Sequence, residues 1–210
     1  MINSNKFITF EGLDYSGKTT QVNLLKEKLE NLGHKVILLR EPGGTPISEL
    51  IRNILLDKNH HKMTSICEVL LYSAARHQLV KSRVLNELKS GNFVIADRYV
   101  DSTTAYQGFG RKLPMSFIKH LNQIATEGLI PNITFLLDIS LSEFKKRIKL
   151  RKNNVDRLEN EKEEFYHRIR KGYLEIAEHE KDRIKIIKAS KSIEQIKREI
   201  WEFVALRLNI

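Results

Sequence analysis

The stretch that most constrains this chain is Phe7-Ile8-Thr9-Phe10-Glu11 followed by Gly12-Leu13-Asp14-Tyr15-Ser16-Gly17-Lys18-Thr19-Thr20. An apolar run of strand type ends in a loop with the spacing G-x-x-x-x-G-K-[ST], and a helical pattern begins at once. Gly12 and Gly17 let the backbone turn its N–H groups inward, which makes an anion nest at a helix N-terminus. Lys18 reaches the β- and γ-phosphates, and the Thr19 hydroxyl is placed to ligate Mg²⁺. Tyr15, Ser16 and Thr20 complete the same donor-binding loop. A glycine-rich turn without a ligand has no need of a strand before it and a helix after it. The spacing therefore implies a bound nucleoside triphosphate.

The rest of the chain repeats the alternation of short apolar runs and helical patterns. Helical spacing from Val22 to Leu32 stops at Gly33, and Val36-Ile37-Leu38-Leu39 is a second strand. A helix from Ile47 to Leu56 carries Leu50, Ile51, Ile54 and Leu55 on its apolar face. Asp57 to Lys62 is a polar loop, and its His60-His61 pair lacks partners at metal-ligand spacing. Thr64 to Lys89 is helical, Phe93-Val94-Ile95-Ala96 is a third strand, and Asp101 to Leu113, with two glycines, is a loop. A helix follows to Thr126. Ile133 to Asp138 is the fourth strand, then come helices at Leu141 to Leu150 and Glu159 to Glu178. Ile184 to Ile187 is the fifth strand, and Ile193 to Leu208 the closing helix. This pattern predicts an α/β fold: a five-stranded parallel sheet with helices on both faces and ligands at the carboxyl ends of its strands. Asp97 closes the third strand as a Walker B carboxylate would, ready to hold the Mg²⁺ shell opposite Thr19, and Arg98 beside it can face phosphate. No N-K-x-D guanine motif occurs, and the length leaves no room for a motor. A small phosphotransferase remains, in which positioning and charge neutralisation supply most of the catalysis.

Bulk properties narrow the partners. A chain of 210 residues suits one domain, 1–210, with a substantial core. The net charge of +10 is spread among acidic residues on most helices, with no polybasic arm, so nucleic acid is not an expected partner. No run approaches the ~18 apolar residues of a membrane span, and the N-terminus has no signal-peptide core. The single cysteine, Cys67, excludes an internal disulfide and suits a reducing cytoplasm.

Further motifs make the chain resemble the thymidylate kinase family from Lys6 to about Trp201. They are Arg40-Glu41-Pro42-Gly43-Gly44-Thr45, Tyr72-Ser73-Ala74-Ala75-Arg76, Asp97-Arg98-Tyr99 and Ser102-Thr103-Thr104-Ala105-Tyr106-Gln107-Gly108, in that order. The resemblance implies a P-loop NTPase fold with a short lid at about 147–158, ATP and Mg²⁺ as cofactors, dTMP as acceptor, and a homodimer formed through helices flanking the acceptor site. It implies that Asp14 accepts from the sugar 3′-hydroxyl and that Arg98 and Arg52 hold the dTMP phosphate. Tyr72 would stack on the thymine, Arg76 would donate to its O4 edge, Tyr106 would pack under the sugar, and Gln107 would lie beside the base. Glu41, Pro42 and Ser102 complete the acceptor set. Arg147 would lie over the adenine, Arg151 would face the transferring phosphoryl group, and Ala189 would border the adenine through backbone. Lys18, Asp14, Arg98 and Arg151 are thus the expected catalytic residues. Loop positions 13–16 lack an arginine, which sends the search for catalytic charge to the lid cations Arg147, Arg151, Lys152 and Arg157. Two positions depart from the family pattern: Tyr72 is usually Phe, and Tyr15 is usually Gly. The rival readings are another small P-loop kinase with a different acceptor, and a protein that binds ATP without transferring phosphate.

Overall fold

The structure is a computed structural model that describes residues 4–150, 157–158 and 161–210. After a 3₁₀ turn at Ser4–Lys6, strand β1 (Phe7–Glu11) is buried along its whole length. It leads through the phosphate loop into α1 (Lys18–Asn31). Strand β2 (Val36–Arg40) precedes α2 (Pro46–Leu56), which starts with proline at its first turn and Thr45 capping the Ser48 N–H. Then come α3 (Ser65–Leu79), a π-helical turn at Val80–Val84, and α4 (Leu85–Lys89), so the stretch expected as one helix is helical throughout with a bulge inside it. Strand β3 (Phe93–Asp97) is followed by α5 (Val100–Thr103), a π-helical segment Thr104–Gly110, and α6 (Met115–Thr126). The remaining elements are β4 (Ile133–Asp138), α7 (Leu141–Lys149), α8 (Glu163–His179), β5 (Ile184–Lys188) and α9 (Ile193–Leu208), the last opened by a Ser192/Gln195 capping box.

The five strands form one parallel sheet in the order β2-β3-β1-β4-β5. The chain builds outward from β1 to β2, returns to β3, then crosses to the other side of β1, so the phosphate loop emerges at the switch point. Side chains alternate between two cores. Ile8, Phe10, Phe93 and Ile95 pack with Val22, Leu25 and Leu29 of α1 on one face, while Phe7, Val94 and Ala96 meet Leu79, Val84 and Leu88 on the other. A fully buried aromatic or branched side chain of this kind contributes about 1.5–3 kcal/mol. The polar Thr9 sits inside β1 because its hydroxyl pairs with that of Thr134 at 2.7 Å across the strands.

The expected loop needs correction. Asp101 to Leu113 is helical as far as Gly110, not a loop. Its glycines serve close packing instead of a turn: a Cβ on Gly110 would lie 2.7 Å from the Phe165 ring. Gly172 of α8 does the same from the other side, where a Cβ would meet the Phe109 ring at 2.5 Å. α2 forms close to its expected span, and its apolar face is only partly covered. Leu55 is buried, but Ile47, Leu50 and Ile54 are exposed, beside exposed Ile66 and Leu70 of α3. The apolar stripe of α2 is wider than α3, against which it packs, covers. The helix expected from Glu159 begins at Glu163, with 159–160 outside the described residues.

Candidate active site

The loops after β1, β2 and β3 open onto a cleft of about 570 Å³. On its donor side Gly12 has φ +131°, and a Cβ there would lie 2.5 Å from the Leu137 carbonyl oxygen, so only glycine fits. Gly17, at φ +95°, starts α1. Lys18 is buried and folds over the loop, donating from Nζ to the carbonyls of Leu13 at 2.9 Å and Gly12 at 3.2 Å. Burial is the main force lowering its pKa to about 8, helped by Arg98 and opposed by Asp97, Asp14 and Glu11. Thr19 donates to Asp97 Oδ2 at 2.8 Å, so the two expected metal ligands stand side by side. The Ser16 hydroxyl is buried and has no hydrogen-bond partner among the described residues. Thr20 lines the cleft with Lys18 and Thr19.

Tyr15 has a structural account. Its φ of +60° costs about 1–2 kcal/mol for a non-glycine residue, but its ring packs 6.3 Å from that of Phe144 on α7. Its carbonyl accepts from Arg147 Nη1 at 2.9 Å, and Arg147 Nη2 donates to the Ala189 carbonyl at 2.9 Å. The ring and the arginine together tie the phosphate loop to α7 and to the segment after β5.

Arg98 stands at the seam of the cleft. It is itself left-handed, at φ +76°, a strained geometry of the kind that gathers at functional sites. Nη2 donates to Asp14 Oδ1 at 2.6 Å and to Tyr106 Oη at 3.3 Å. Nη1 donates to the Gly12 carbonyl and Ser102 Oγ, both at 3.0 Å, and to Tyr173 Oη at 3.2 Å. Burial opposes the charge on Asp14, but Arg98 and then Lys18 outweigh it and hold that carboxyl at about 2. Beneath them Glu11 is fully buried, accepting from Tyr99 N–H at 2.7 Å and Ser102 Oγ at 2.5 Å. Burial, and then repulsion from Asp101, push Glu11 up to about 7.

The acceptor side is built from α2, α3 and the helical turns after β3. Arg52 donates to the Pro42 carbonyl at 2.9 Å. Tyr72 and Arg76 line the cleft one helical turn apart. Arg76 is buried more completely than a free base-reading arginine needs to be. Its Nε meets Glu41 Oε2 at 2.6 Å, Nη1 the Thr103 hydroxyl at 2.8 Å, and Nη2 the Tyr99 carbonyl at 2.9 Å. Burial raises the pKa of Glu41 against the pull of Arg76. Gln107 is buried in the same wall, its Nε2 donating to Glu68 Oε1 at 2.9 Å.

The structure thus brings Asp14, Lys18, Thr19, Glu41, Pro42, Arg52, Tyr72, Arg76, Asp97, Arg98, Ser102, Tyr106, Gln107 and Arg147 to one cleft. Arg151 and Lys152 lie outside the described residues. Arg157 is buried against the acceptor half instead: Nε donates to the Leu55 carbonyl at 2.9 Å, and Nη2 is 2.7 Å from Glu68 Oε2. Sequence reasoning missed Glu68, Arg111 and Tyr173. Glu68 had a readable signal, because it shares a helix face with Tyr72 and Arg76 at intervals of four. Tyr173 had none, since only the packing of α8 brings its hydroxyl to Arg98.

Comparison with known proteins gives one answer. The family model described as thymidylate kinase matches residues 10–200. The thymidylate kinase of Sulfurihydrogenibium sp. is 46% identical over 201 residues, which is 96% of this chain and 97% of that protein. The thymidylate kinase of Chlorobaculum parvum is 45% identical, covering 92% of each chain. Among solved structures, the crystal structure of thymidylate kinase from Ehrlichia chaffeensis superposes with a TM-score of 0.77 at 34% identity, over 94% of this chain and 97% of that one.

Proposed function

The chain belongs to the thymidylate kinase family, and from that premise we propose that its cleft transfers the γ-phosphoryl group of ATP to the 5′-phosphate of dTMP, giving ADP and dTDP. The observation that carries this reading is the position of Arg98, which touches Asp14 of the donor loop and Ser102 and Tyr106 of the acceptor wall at once. A planar guanidinium there can hold the acceptor phosphate while Lys18, a few residues along the loop, holds the donor. In this reading Lys18 exchanges its carbonyl partners for phosphate oxygens, and the buried Ser16 hydroxyl gains the acceptor it lacks. Asp14 takes the sugar 3′-hydroxyl, Tyr106 and Tyr72 pack on sugar and base, and Arg76 and Gln107 read the base edge, with Glu41, Pro42, Arg52 and Ser102 around them. Tyr15, Arg147 and Ala189 border the adenine of ATP.

The adjacent Thr19 hydroxyl and Asp97 carboxylate fit a hard divalent cation, and they are the residues that would hold Mg²⁺. When bound, the ion would neutralise charge on the β- and γ-phosphates. The lid at about 147–158 supplies Arg151 as the cation facing the phosphoryl group in flight, since loop positions 13–16 hold no arginine. One domain spanning 1–210 is part of the same reading.

Purified protein given ATP should form ADP at least about 100-fold faster with dTMP than with AMP, CMP or dGMP, and EDTA should abolish the reaction. Equal rates with all four acceptors overturn the thymidylate assignment. ATP binding without turnover would identify a protein that binds ATP without transferring phosphate.

We also propose a homodimer, supported by the exposed Ile47, Leu50 and Ile54 of α2 beside Ile66 and Leu70 of α3. Sedimentation at micromolar concentration should give twice the chain mass, and Leu50→Glu should halve it. A wild-type monomer under those conditions removes this part of the reading.

A further inference from the structure

Glu68 lies outside the cleft, yet it is a heavily bonded carboxylate behind the acceptor wall. It is fully buried on α3, accepts hydrogen bonds from Gln107 and Arg111, in and just after the π-helical segment, and has Arg157 from a distant part of the chain as an ion-pair neighbour. Oε1 accepts from Gln107 Nε2 at 2.9 Å and Arg111 Nε at 3.0 Å. Oε2 accepts from Arg111 Nη2 at 3.0 Å and lies 2.7 Å from Arg157 Nη2. Arg111 is in turn pinned by Glu161 at 2.5 Å and by the Phe165 ring, whose centroid is 4.6 Å away. Burial pushes the Glu68 carboxyl up, but Arg111, with help from Gln107 and Arg157, outweighs it and holds the group below its ordinary value, in the ionised form.

An ionised carboxylate only accepts hydrogen bonds, and an arginine only donates them. The Gln107 amide therefore has one tolerable orientation. Its NH₂ must face Glu68, because turning the carbonyl that way would press two acceptors together in a buried site. Gln107 lines the cleft and Glu68 does not, so the end of the amide left for a ligand is the Oε1 acceptor.

We propose that Glu68 is a positioning residue that sets acceptor-base specificity: it locks the Gln107 amide with its carbonyl toward the cleft, so that the site takes a base offering an N–H donor. A pyrimidine-2,4-dione has that donor at N3, whereas cytosine presents a lone pair there and meets acceptor with acceptor. This inference rests on the reading of the cleft as a dTMP site, and adds to it the group that excludes the amino-pyrimidine. Glu68 acts only through Gln107 and touches no substrate.

The test is Glu68→Gln, assayed with dTMP and with 5-methyl-dCMP, which keeps the methyl group and turns N3 from donor to acceptor. A glutamine at 68 can donate to Gln107 Oε1 and free its NH₂ for the base. kcat/KM for dTMP should fall about ten-fold or more, while kcat/KM for 5-methyl-dCMP rises several-fold in absolute terms. General loosening of the wall would lower both, so a fall or no change for 5-methyl-dCMP overturns the proposal. If the variant does not fold, the wild-type protein gives a second measure. Acid protonates cytosine N3 and makes it a donor, so binding of 5-methyl-dCMP relative to dTMP should strengthen several-fold as pH falls from about 7 to about 5. A constant ratio overturns the proposal equally. Failure of the wild type to phosphorylate dTMP at neutral pH would instead remove the dTMP reading itself.

Discussion

Arg98→Ala should lower kcat/KM for dTMP about 1,000-fold while leaving ATP affinity within about three-fold. The expected loss, about 4 kcal/mol, has two sources of similar size. A charge-assisted contact to a phosphate is worth about 1.5–3 kcal/mol, and its removal is felt in full by a dianionic acceptor. The second source is Asp14, which sits 2.6 Å from Arg98 Nη2 and would lose its main counter-charge. An unpaired carboxylate beside the incoming phosphate repels it. Donor binding is spared because Lys18 and the loop N–H groups remain. Arg98→Lys should recover little, since an ammonium cannot span Asp14 on one nitrogen and Ser102, Tyr173 and the Gly12 carbonyl on the other. Steady-state kinetics with both substrates varied, together with titration of a non-hydrolysable ATP analogue, would check this. A variant with unchanged dTMP parameters would take Arg98 out of the acceptor site.

Arg76→Ala should lower the melting temperature by about 6–20 °C, besides weakening dTMP. From the motif alone this residue reads as a base-contacting arginine whose loss is confined to the acceptor. The geometry makes it structural too. Its guanidinium satisfies Glu41, Thr103 and the Tyr99 carbonyl, and the Arg76–Glu41 side chains are only 1% and 4% exposed. Breaking such a buried pair from one side costs about 3–5 kcal/mol, because the remaining charge has neither partner nor water. In a chain of this size each kcal/mol moves the midpoint by roughly 2–4 °C. Arg76→Ala with Glu41→Gln should recover part of the loss, since the orphaned charge goes with it. Calorimetry of the single and double variants would decide. A single variant within a degree of wild type would show that the pair carries no stability.

Much of the donor half was legible in the chain. Gly12, Gly17, Lys18 and Thr19 act through backbone turns and short reaches within one loop, and Asp97-Arg98 adjoins the end of a strand recognisable by its apolar run. The acceptor half was legible as a set of residues but not as a set of partners. Arg157 reads as one more lid cation, yet it is buried against Glu68 and the end of α2. Segment 101–113 reads as a loop because Gly108 and Gly110 resemble punctuation, whereas Gly110 makes room for Phe165. Leu50 and Ile54 read as part of an apolar face and lie exposed, because periodicity reports such a face without saying what covers it.

By itself the sequence determined the phosphate loop, the strand–helix alternation and hence the parallel sheet, since each depends on spacings of a few residues and on which side chains avoid water. Only the tertiary structure decided which charged and polar groups meet: Arg98 with Asp14, Arg76 with Glu41, Glu68 with Gln107 and Arg111. A buried charge needs its partner within hydrogen-bond reach, and segments far apart in the chain come that close only after the sheet order and helix packing are set.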